Sequence, residues 1–241
     1  MKKLLLALAL CSPLMILSQA MAVQPLGTDV KLAFEVEEPK LLPPKLDILF
    51  VIDDSASMSV MQNQLAAAMN RLSGTFDNLN ADIHAAVTTS TMTELDGPGC
   101  KFSATKACDG RFNKGFLSNS EPNFSAELAE RLLVGTLGGG TEAFFEPVLL
   151  ALQTPLRHPE NAGFLRSDAK LVVVMLTDAD DQSKRTASEF ALSLVALKNG
   201  DTSLVHLITS TVPLGENTRS CSRNGEPVAF KIDEAAKLLN A

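Results

Sequence analysis

Two kinds of apolar pattern alternate along this chain. Short unbroken runs of Val, Ile, Leu and Phe are typical of strands buried on both faces of a parallel sheet. Segments whose apolar residues recur every three or four positions are typical of helices with one buried face. The strands predicted in this way are Ile48–Ile52, Ile83–Thr89, Lys170–Leu176 and Ser203–Ser210. The predicted helices are Val60–Leu79, Phe124–Val134, Phe144–Leu156, Ala187–Asn199 and Asp233–Asn240.

Strands that alternate with helices predict an α/β fold. We expect a doubly wound, mostly parallel central sheet of Rossmann-like type, flanked by helices on both faces, within one domain over residues 46–241. The periodicity fails in residues 91–123, where Gly, Pro and two cysteines mark an insertion. Two short edge strands are predicted, Leu32–Val36 and Phe112–Leu117.

The pattern of the first 45 residues predicts that the protein is exported. Lys2 and Lys3, an apolar segment and a small-residue end at Ala22 describe a signal peptide over residues 1–22. Lipidation at Cys11 is the alternative, but it leaves a short apolar region and places the bulky Leu10 before the cysteine. The apolar run is too short for a retained membrane span. Residues 23–45 then form an extended, proline-containing linker, and the protein is expected in the periplasm or at the surface of a bacterium.

Composition narrows the class of partner. Without Lys2 and Lys3, the 21 basic residues become 19 against 28 acidic ones, a net charge of about −9. Such a surface argues against nucleic acid and anionic membranes as partners. The chain has no Trp or Tyr, the usual stacking platforms for bases and sugars. Nucleic acids, anionic membranes and sugars are therefore disfavoured as ligands. The chain itself is expected to be monomeric.

Three cysteines remain after removal of the leader. An exported protein permits disulfides, and Cys100 and Cys108 bracket a short loop, so a local disulfide is predicted there. The alternative is a pair of free thiols. Cys221 is left over as a free thiol, as a partner for another chain, or as a replacement for one member of the local pair.

A polar cluster follows the first strand directly. Asp53, Asp54, Ser55 and Ser57 fall at its carboxyl end, where open α/β sheets bind their ligands. Short hydroxyl and carboxylate side chains suit a hard divalent cation, which prefers oxygen ligands. The alternative is that Ser55 or Ser57 only caps the following helix.

Three segments together resemble one family. They are the Asp-x-Ser-x-Ser turn of Asp53, Ser55 and Ser57, the turn Gly138-Gly139-Gly140-Thr141, and Thr177-Asp178 after a buried strand. In this order they are similar to the metal-ion-dependent adhesion site of the von Willebrand factor A family, in a bacterial exported member. The resemblance extends from about Leu46 to Pro213.

The resemblance implies a role for each residue. Ser55 and Ser57 would bind the cation directly, Thr141 directly or through water, and Asp53 and Asp178 mainly through its waters. Mg²⁺ is the expected ion, with Mn²⁺ or Ca²⁺ as alternatives. The implied function is an exported adhesion or binding module, in which the cation captures an Asp or Glu carboxylate of a partner protein. The alternative is a non-adhesive scaffold of an envelope assembly with a structural or vestigial metal site.

Other polar residues near these segments receive weaker assignments. Glu142 is expected either to reach the metal or to belong to the first turn of the next helix. Asp54, Asp180 and Asp181 are interpreted as solvated loop charges, with a second nearby cation as the alternative. The single histidines His84, His158 and His206 are expected to be ordinary surface or core residues.

Enzymatic classes fit less well. A receiver domain needs a phosphoacceptor aspartate after a later strand, and a dehalogenase-type phosphatase needs aspartate where Ser55 stands. The serine-hydrolase elbow Gly-x-Ser-x-Gly is absent, and the glycine turn lacks the Gly-Lys-Ser/Thr of a nucleotide-binding loop. The protein is therefore not expected to be an enzyme.

Overall fold

The computed structural model describes residues 42–72, 74–75, 79–97, 100, 105, 107–153, 158–211 and 229–240. The predicted signal peptide, most of the linker, the strand at Leu32–Val36 and Cys221 lie outside these residues. Within the described residues, no helix is both long enough and apolar enough to cross a membrane.

The sheet confirms the predicted fold class. Its strands are β1 (Lys45–Ile52), β2 (Asp82–Thr89), β3 (Phe116–Ser118), β4 (Lys170–Leu176) and β5 (Val205–Ser210). They lie in the order β3-β2-β1-β4-β5, and every pair is parallel except β2 with β3. The apolar run of β1 therefore occupies the centre of the sheet, which explains why it is apolar without alternation.

Helices cover both faces of the sheet. They are α1 (Ser59–Arg71), α2 (Thr93–Asp96), α3 (Phe124–Arg131), α4 (Phe145–Leu152), α5 (Ala187–Leu197) and α6 (Phe230–Leu239). Because successive side chains of a strand point to opposite faces, Phe50 packs with α1 and α3, whereas Leu49 and Val51 pack with α4, α5 and α6. The two cores so formed make a three-layer α/β/α arrangement.

The five predicted helices are present, and the first four are shorter than the apolar periodicity suggested. The first ends at Arg71, and Leu72, an apolar residue within its predicted range, is 45% exposed. The helix at the end of the chain begins earlier than predicted, at Phe230. The polar Gln62 is buried together with Ala66 and Met69, so periodicity misjudged part of the buried face of α1.

The fourth predicted buried strand is an edge strand. Among the described residues, β5 pairs on one side only, with β4; Val205 and Leu207 are buried, whereas Ile208 is 48% exposed. The prediction that Ser203–Ser210 is fully buried was therefore wrong. A short 3₁₀ turn, Thr202–Leu204, also precedes the strand and delays its start.

The edge strand predicted at Phe112–Leu117 occurs at Phe116–Ser118 instead. Gly110 and Lys114 have positive φ angles, so the chain is still turning where the strand was expected. The Phe112 side chain is 2% exposed and enters the core beside Phe164.

Gly110 offers a test of this packing. Its φ is +77°, and a methyl group there would lie 2.6 Å from Ala151 N and Pro147 O of α4. We expect Gly110→Ala to lower the free energy of unfolding by about 1–3 kcal/mol more than Gly200→Ala. Gly200 is the matched control, because it also has positive φ, +86°, but open space around it. Equal losses in urea unfolding would contradict the close approach of this turn to α4.

The structure confirms the predicted disulfide between Cys100 and Cys108, whose Cα atoms are 5.7 Å apart. The residues beside it are fastened to β2, since Ala107 O accepts hydrogen bonds from the backbone N–H and the hydroxyl of Thr89. Asp109 accepts hydrogen bonds from the backbone N–H and the hydroxyl of Thr93. The insertion is thus attached at the carboxyl end of β2.

A buried ionic network that no sequence pattern predicted lies near the start of β1. Asp47 and Lys198 are almost fully buried, and Arg166 joins them. The Asp47 carboxylate accepts hydrogen bonds from Arg166 Nε and from the Arg166 backbone N–H, both at 2.8 Å. Lys198 Nζ lies 3.6 Å from Asp47 and donates to the carbonyl of Arg166.

Candidate metal centre

The strand register brings the polar segments to one edge of the sheet. Ile52, the last residue of β1, pairs with both Thr89 of β2 and Leu176 of β4. The residues that follow each strand therefore emerge side by side. Hydrogen bonds continue the alignment, from Asp53 N–H to Leu176 O and from Ser90 N–H to Ile52 O.

Asp53 is the buried centre of this edge. Its side chain is inaccessible to solvent; one carboxylate oxygen accepts the Ser55 backbone N–H and the other accepts the Thr177 hydroxyl, each at 2.8 Å. Burial raises the pKa of Asp53, and the nearby negative charge of Asp178 raises it further, while the hydrogen bonds from Ser55 and Thr177 oppose the shift.

Two more carboxylates converge on Asp53. Asp53, Glu142 and Asp178 each offer an oxygen, and these oxygens all lie within 4.8 Å of one another. Two of the predicted site residues, Asp53 and Asp178, are therefore brought together. Glu142 does not belong to the first turn of the next helix, since it lies three residues before α4 begins, and its carboxylate joins the cluster.

The two serines lie beside Asp53 and are not used as helix caps. Ser55 precedes the 3₁₀ turn Ala56–Met58, which leads into α1, and its side chain makes no capping hydrogen bond within the described residues. Its hydroxyl is instead 3.2 Å from the hydroxyl of Ser57, which is exposed. The capping alternative is therefore wrong, since neither serine hydroxyl caps the helix in the described residues.

Thr141 is held next to this cluster by its backbone. It adjoins Glu142, and its N–H donates to an Asp96 carboxylate oxygen at 2.8 Å. Buried Gln62 secures the other end of the glycine-rich segment, because its amide donates to the carbonyls of both Asp53 and Gly135. Sequence patterns did not identify Asp96 or Gln62.

The interpretation of Asp54 as a solvated charge was wrong. It is 1% exposed, and one oxygen accepts the hydroxyls of Thr91 at 2.8 Å and Ser90 at 3.2 Å. Its other oxygen accepts no hydrogen bond from the described residues. Burial raises the pKa of Asp54 to about 6, the charge of Asp53 adds to the shift, and the hydrogen bonds from Thr91 and Ser90 oppose it.

The same interpretation fails for Asp181. This residue is 5% exposed, and one carboxylate oxygen accepts the N–H groups of Phe144 and Phe145 at the start of α4. Its other oxygen lies 2.7 Å from Lys231 Nζ. Asp180 accepts hydrogen bonds from the backbone N–H groups of Lys231 and Ile232 at the start of α6. Both aspartates therefore fasten helix N-termini, which favour negative charge.

Other contacts support the loop that carries Glu142. Its carbonyl accepts the Gln182 backbone N–H at 2.9 Å, and its carboxylate accepts the Gln182 side-chain amide at 3.1 Å. No histidine belongs to the carboxylate cluster in the described part of the chain. His158 instead contacts the Asp109 carbonyl through Nε2, and His84 contacts the Phe164 carbonyl through Nδ1, as expected of ordinary structural histidines.

The site has the donor set of a hard cation. All its candidate ligands are oxygens, either carboxylates or hydroxyls, which suit Mg²⁺, Ca²⁺ or Mn²⁺ rather than a soft metal. The ion pairs among the described residues include neither Asp53, Asp54 nor Asp178. Because burying an unpaired charge is costly, a bound divalent cation would relieve this cost. The residues therefore fit a metal ion.

The raised pKa of Asp54 predicts how the metal-free protein responds to pH. The ordinary pKa is 3.8 and the folded value is about 6, so protonated Asp54 stabilises the fold at low pH. That contribution is lost as pH rises through about 6. With metal chelated by EDTA, the free energy of unfolding should fall by about 1 kcal/mol from this group between pH 5 and pH 7. An Asp54→Asn variant with the same pH dependence would contradict this prediction.

Comparisons with known proteins do not assign a family. A scan against protein-family models and a search of curated proteins give no match. The fold is similar to structures of proximal thread matrix protein 1 from the mussel byssus. One shares 12% identity over 83% of this chain, with a TM-score of 0.39. Another, with a zinc-occupied MIDAS motif, shares 13% identity over 82% of this chain, with the same TM-score. The chain spans 47% of each of these proteins, about half their length.

Proposed function

We propose that this protein is an exported, metal-dependent binding module. The observation that carries the proposal is the convergence of Asp53, Glu142 and Asp178 within 4.8 Å at the carboxyl edge of the sheet. Ser55 and Ser57 follow Asp53 in the same turn, with their hydroxyls 3.2 Å apart, and Thr141 is adjacent to Glu142 in the chain. These residues would hold Mg²⁺, with Mn²⁺ or Ca²⁺ as substitutes. The bound ion would supply a Lewis-acidic position for an oxygen ligand from outside the protein.

The partner in this proposal is a protein that presents an Asp or Glu carboxylate. Ser57 is exposed, and Glu142 and Asp178 are partly exposed, so a ligand can reach the cluster from solvent. The disulfide at Cys100–Cys108 supports an oxidising compartment, as does the leader predicted from the sequence.

One observation favours a second role. The resemblance in the sequence implied mainly hydroxyl ligands, which leave a divalent ion short of negative charge. Glu142 adds a third carboxylate, so a divalent ion bound by all three would carry a net charge of −1 together with its ligands. This charge weakens the attraction for a partner carboxylate. It favours the alternative of a structural metal in a scaffold of an envelope assembly.

Two experiments, performed one after the other, test the two roles. Mg²⁺, Mn²⁺ and Ca²⁺ are first titrated calorimetrically into the purified, folded protein, and we expect saturable binding at one site. The Mn²⁺-loaded protein is then titrated with N-acetyl-glutamate amide or its uncharged glutamine counterpart, with water-proton relaxation as the readout. A carboxylate that enters the coordination shell displaces water and lowers the relaxation rate.

The outcomes separate the roles clearly. A water-proton relaxation rate that falls with the glutamate compound, but not with its glutamine counterpart, supports carboxylate capture. Metal binding that raises the melting temperature, with no response to either compound, favours the structural role. Absence of metal binding to the folded protein would overturn both.

A further inference from the structure

Two carboxylates outside the proposed ligand set hold the turn that presents Thr141 and Glu142. The first is Asp96, at the end of α2 in the insertion. One of its oxygens accepts the Thr141 N–H at 2.8 Å, and the other accepts the Met92 N–H at 3.1 Å. Asp96 therefore ties Thr141 to the chain segment that leaves β2.

The second carboxylate belongs to Asp54, which follows β1 and is hydrogen-bonded to the same turn. The Asp54 carbonyl accepts the Gly138 N–H at 2.9 Å. Thr91 links the Asp54 carboxylate to Gly139. The Thr91 hydroxyl donates to the Asp54 carboxylate at 2.8 Å and accepts the Gly139 N–H at 2.7 Å. The turn is thus attached to the ends of both β1 and β2.

The glycines of the turn are required by this close approach. A methyl group built on Gly138 would overlap the Asp54 carboxylate, and one built on Gly139 would overlap the Asp96 carboxylate. Gly140, the next residue, has open space around its Cα. Neither Gly138 nor Gly139 has a positive φ angle, so the need for glycine there is a need for space.

We infer that Asp96 is a positioning residue of the metal centre and that it acts by holding Thr141 and Glu142 in place. The inference rests on the proposed metal site. Asp96 does not belong to the cluster of Asp53, Glu142 and Asp178 in the described residues, so its effect is exerted through the Thr141 backbone. Residues that orient metal ligands commonly change metal affinity about 10- to 100-fold when replaced.

The test compares variants that separate position from charge. Asp96→Glu keeps the charge but lengthens the side chain by one methylene, which moves the carboxylate from the position that accepts the Thr141 N–H. Gly139→Ala keeps every carboxylate and displaces Asp96. We expect each to weaken Mn²⁺ binding, measured by calorimetry, about 10- to 100-fold.

Gly140→Ala is the control for glycine replacement. Glu94→Gln is the control for charge on the same helix, since Glu94 is exposed and pairs with Lys184. Both controls should bind as the wild type does.

Melting temperatures in EDTA provide the second readout. A purely structural role for Asp96 would lower these temperatures and leave the Mn²⁺ affinity of the folded protein unchanged. If Gly139→Ala does not fold, Asp96→Glu decides the question alone. Wild-type affinity in Asp96→Glu would overturn the inference while leaving the proposed function intact. No Mn²⁺ binding by the wild type would overturn the proposed function and, with it, this inference.

Discussion

The Asp53→Asn protein is expected to unfold at the same temperature with and without Mg²⁺ or Mn²⁺, whereas the wild type is stabilised by either ion. A ligand at 100 times its dissociation constant stabilises a protein by about 2.7 kcal/mol. For a chain of this size, that corresponds to an increase of about 5–10 °C in melting temperature. Loss of the Asp53 charge should remove this increase, because Asp53 lies at the buried centre of the carboxylate cluster.

Asparagine is the informative replacement at this position. Its carbonyl oxygen can still accept the Ser55 N–H, so the turn after β1 keeps one of its two supports. The metal-free variant should therefore fold, and it no longer carries a buried charge whose pKa is raised by burial. Asp168→Asn is the matched control, because Asp168 is exposed and pairs with Lys45 away from the cluster. A metal-induced increase that survives in Asp53→Asn would contradict the proposed site.

The second large effect concerns stability alone. We expect Asp47→Ala to lower the free energy of unfolding by about 3–5 kcal/mol, because it leaves buried Lys198 without the anion it pairs with and mostly buried Arg166 with Asp82 alone. Burial already lowers the pKa of Lys198, and the charge of Asp47 opposes that shift. Urea unfolding with an unchanged m value would measure the loss.

A surface pair and the metal affinity serve as controls for this prediction. Lys45→Ala breaks the exposed pair with Asp168 and should cost about 0–1 kcal/mol. The folded Asp47→Ala protein should bind Mn²⁺ with wild-type affinity, since Asp47 lies near the start of β1 and the cluster follows its end. A loss below about 1 kcal/mol would show that the network contributes little.

The two predictions concern opposite ends of one strand and opposite uses of buried charge. At the start of β1, Asp47 is buried with cations that compensate it. At its end, Asp53 and Asp54 are buried without an ion pair among the described residues. Uncompensated burial is costly, and such sites are where proteins commonly bind ligands or carry out chemistry. This contrast supports placing a cation at the carboxyl end.

Sequence patterns predicted the elements better than their ends. The central strands β1 and β4 were found because a strand with a helix layer on each face is apolar throughout. Periodicity extended α1 past Arg71, since apolar residues continue in the sequence after the helix stops. It also predicted β5 as buried, because an apolar run does not reveal that the strand pairs with a single neighbour in the described part of the chain.

By itself, the sequence determined the α/β class and placed Asp53 and Asp178 within two residues of the ends of buried strands. It also predicted the local disulfide, with free thiols as the alternative. These are local properties, since a strand and the residues after it are neighbours in the chain. Only the tertiary structure decided that Glu142 joins the cluster, that Asp54 and Asp181 are buried, and that Asp96 and Gln62 support the glycine-rich segment. Each of these depends on contacts between segments far apart in the chain, which are set by strand order and register.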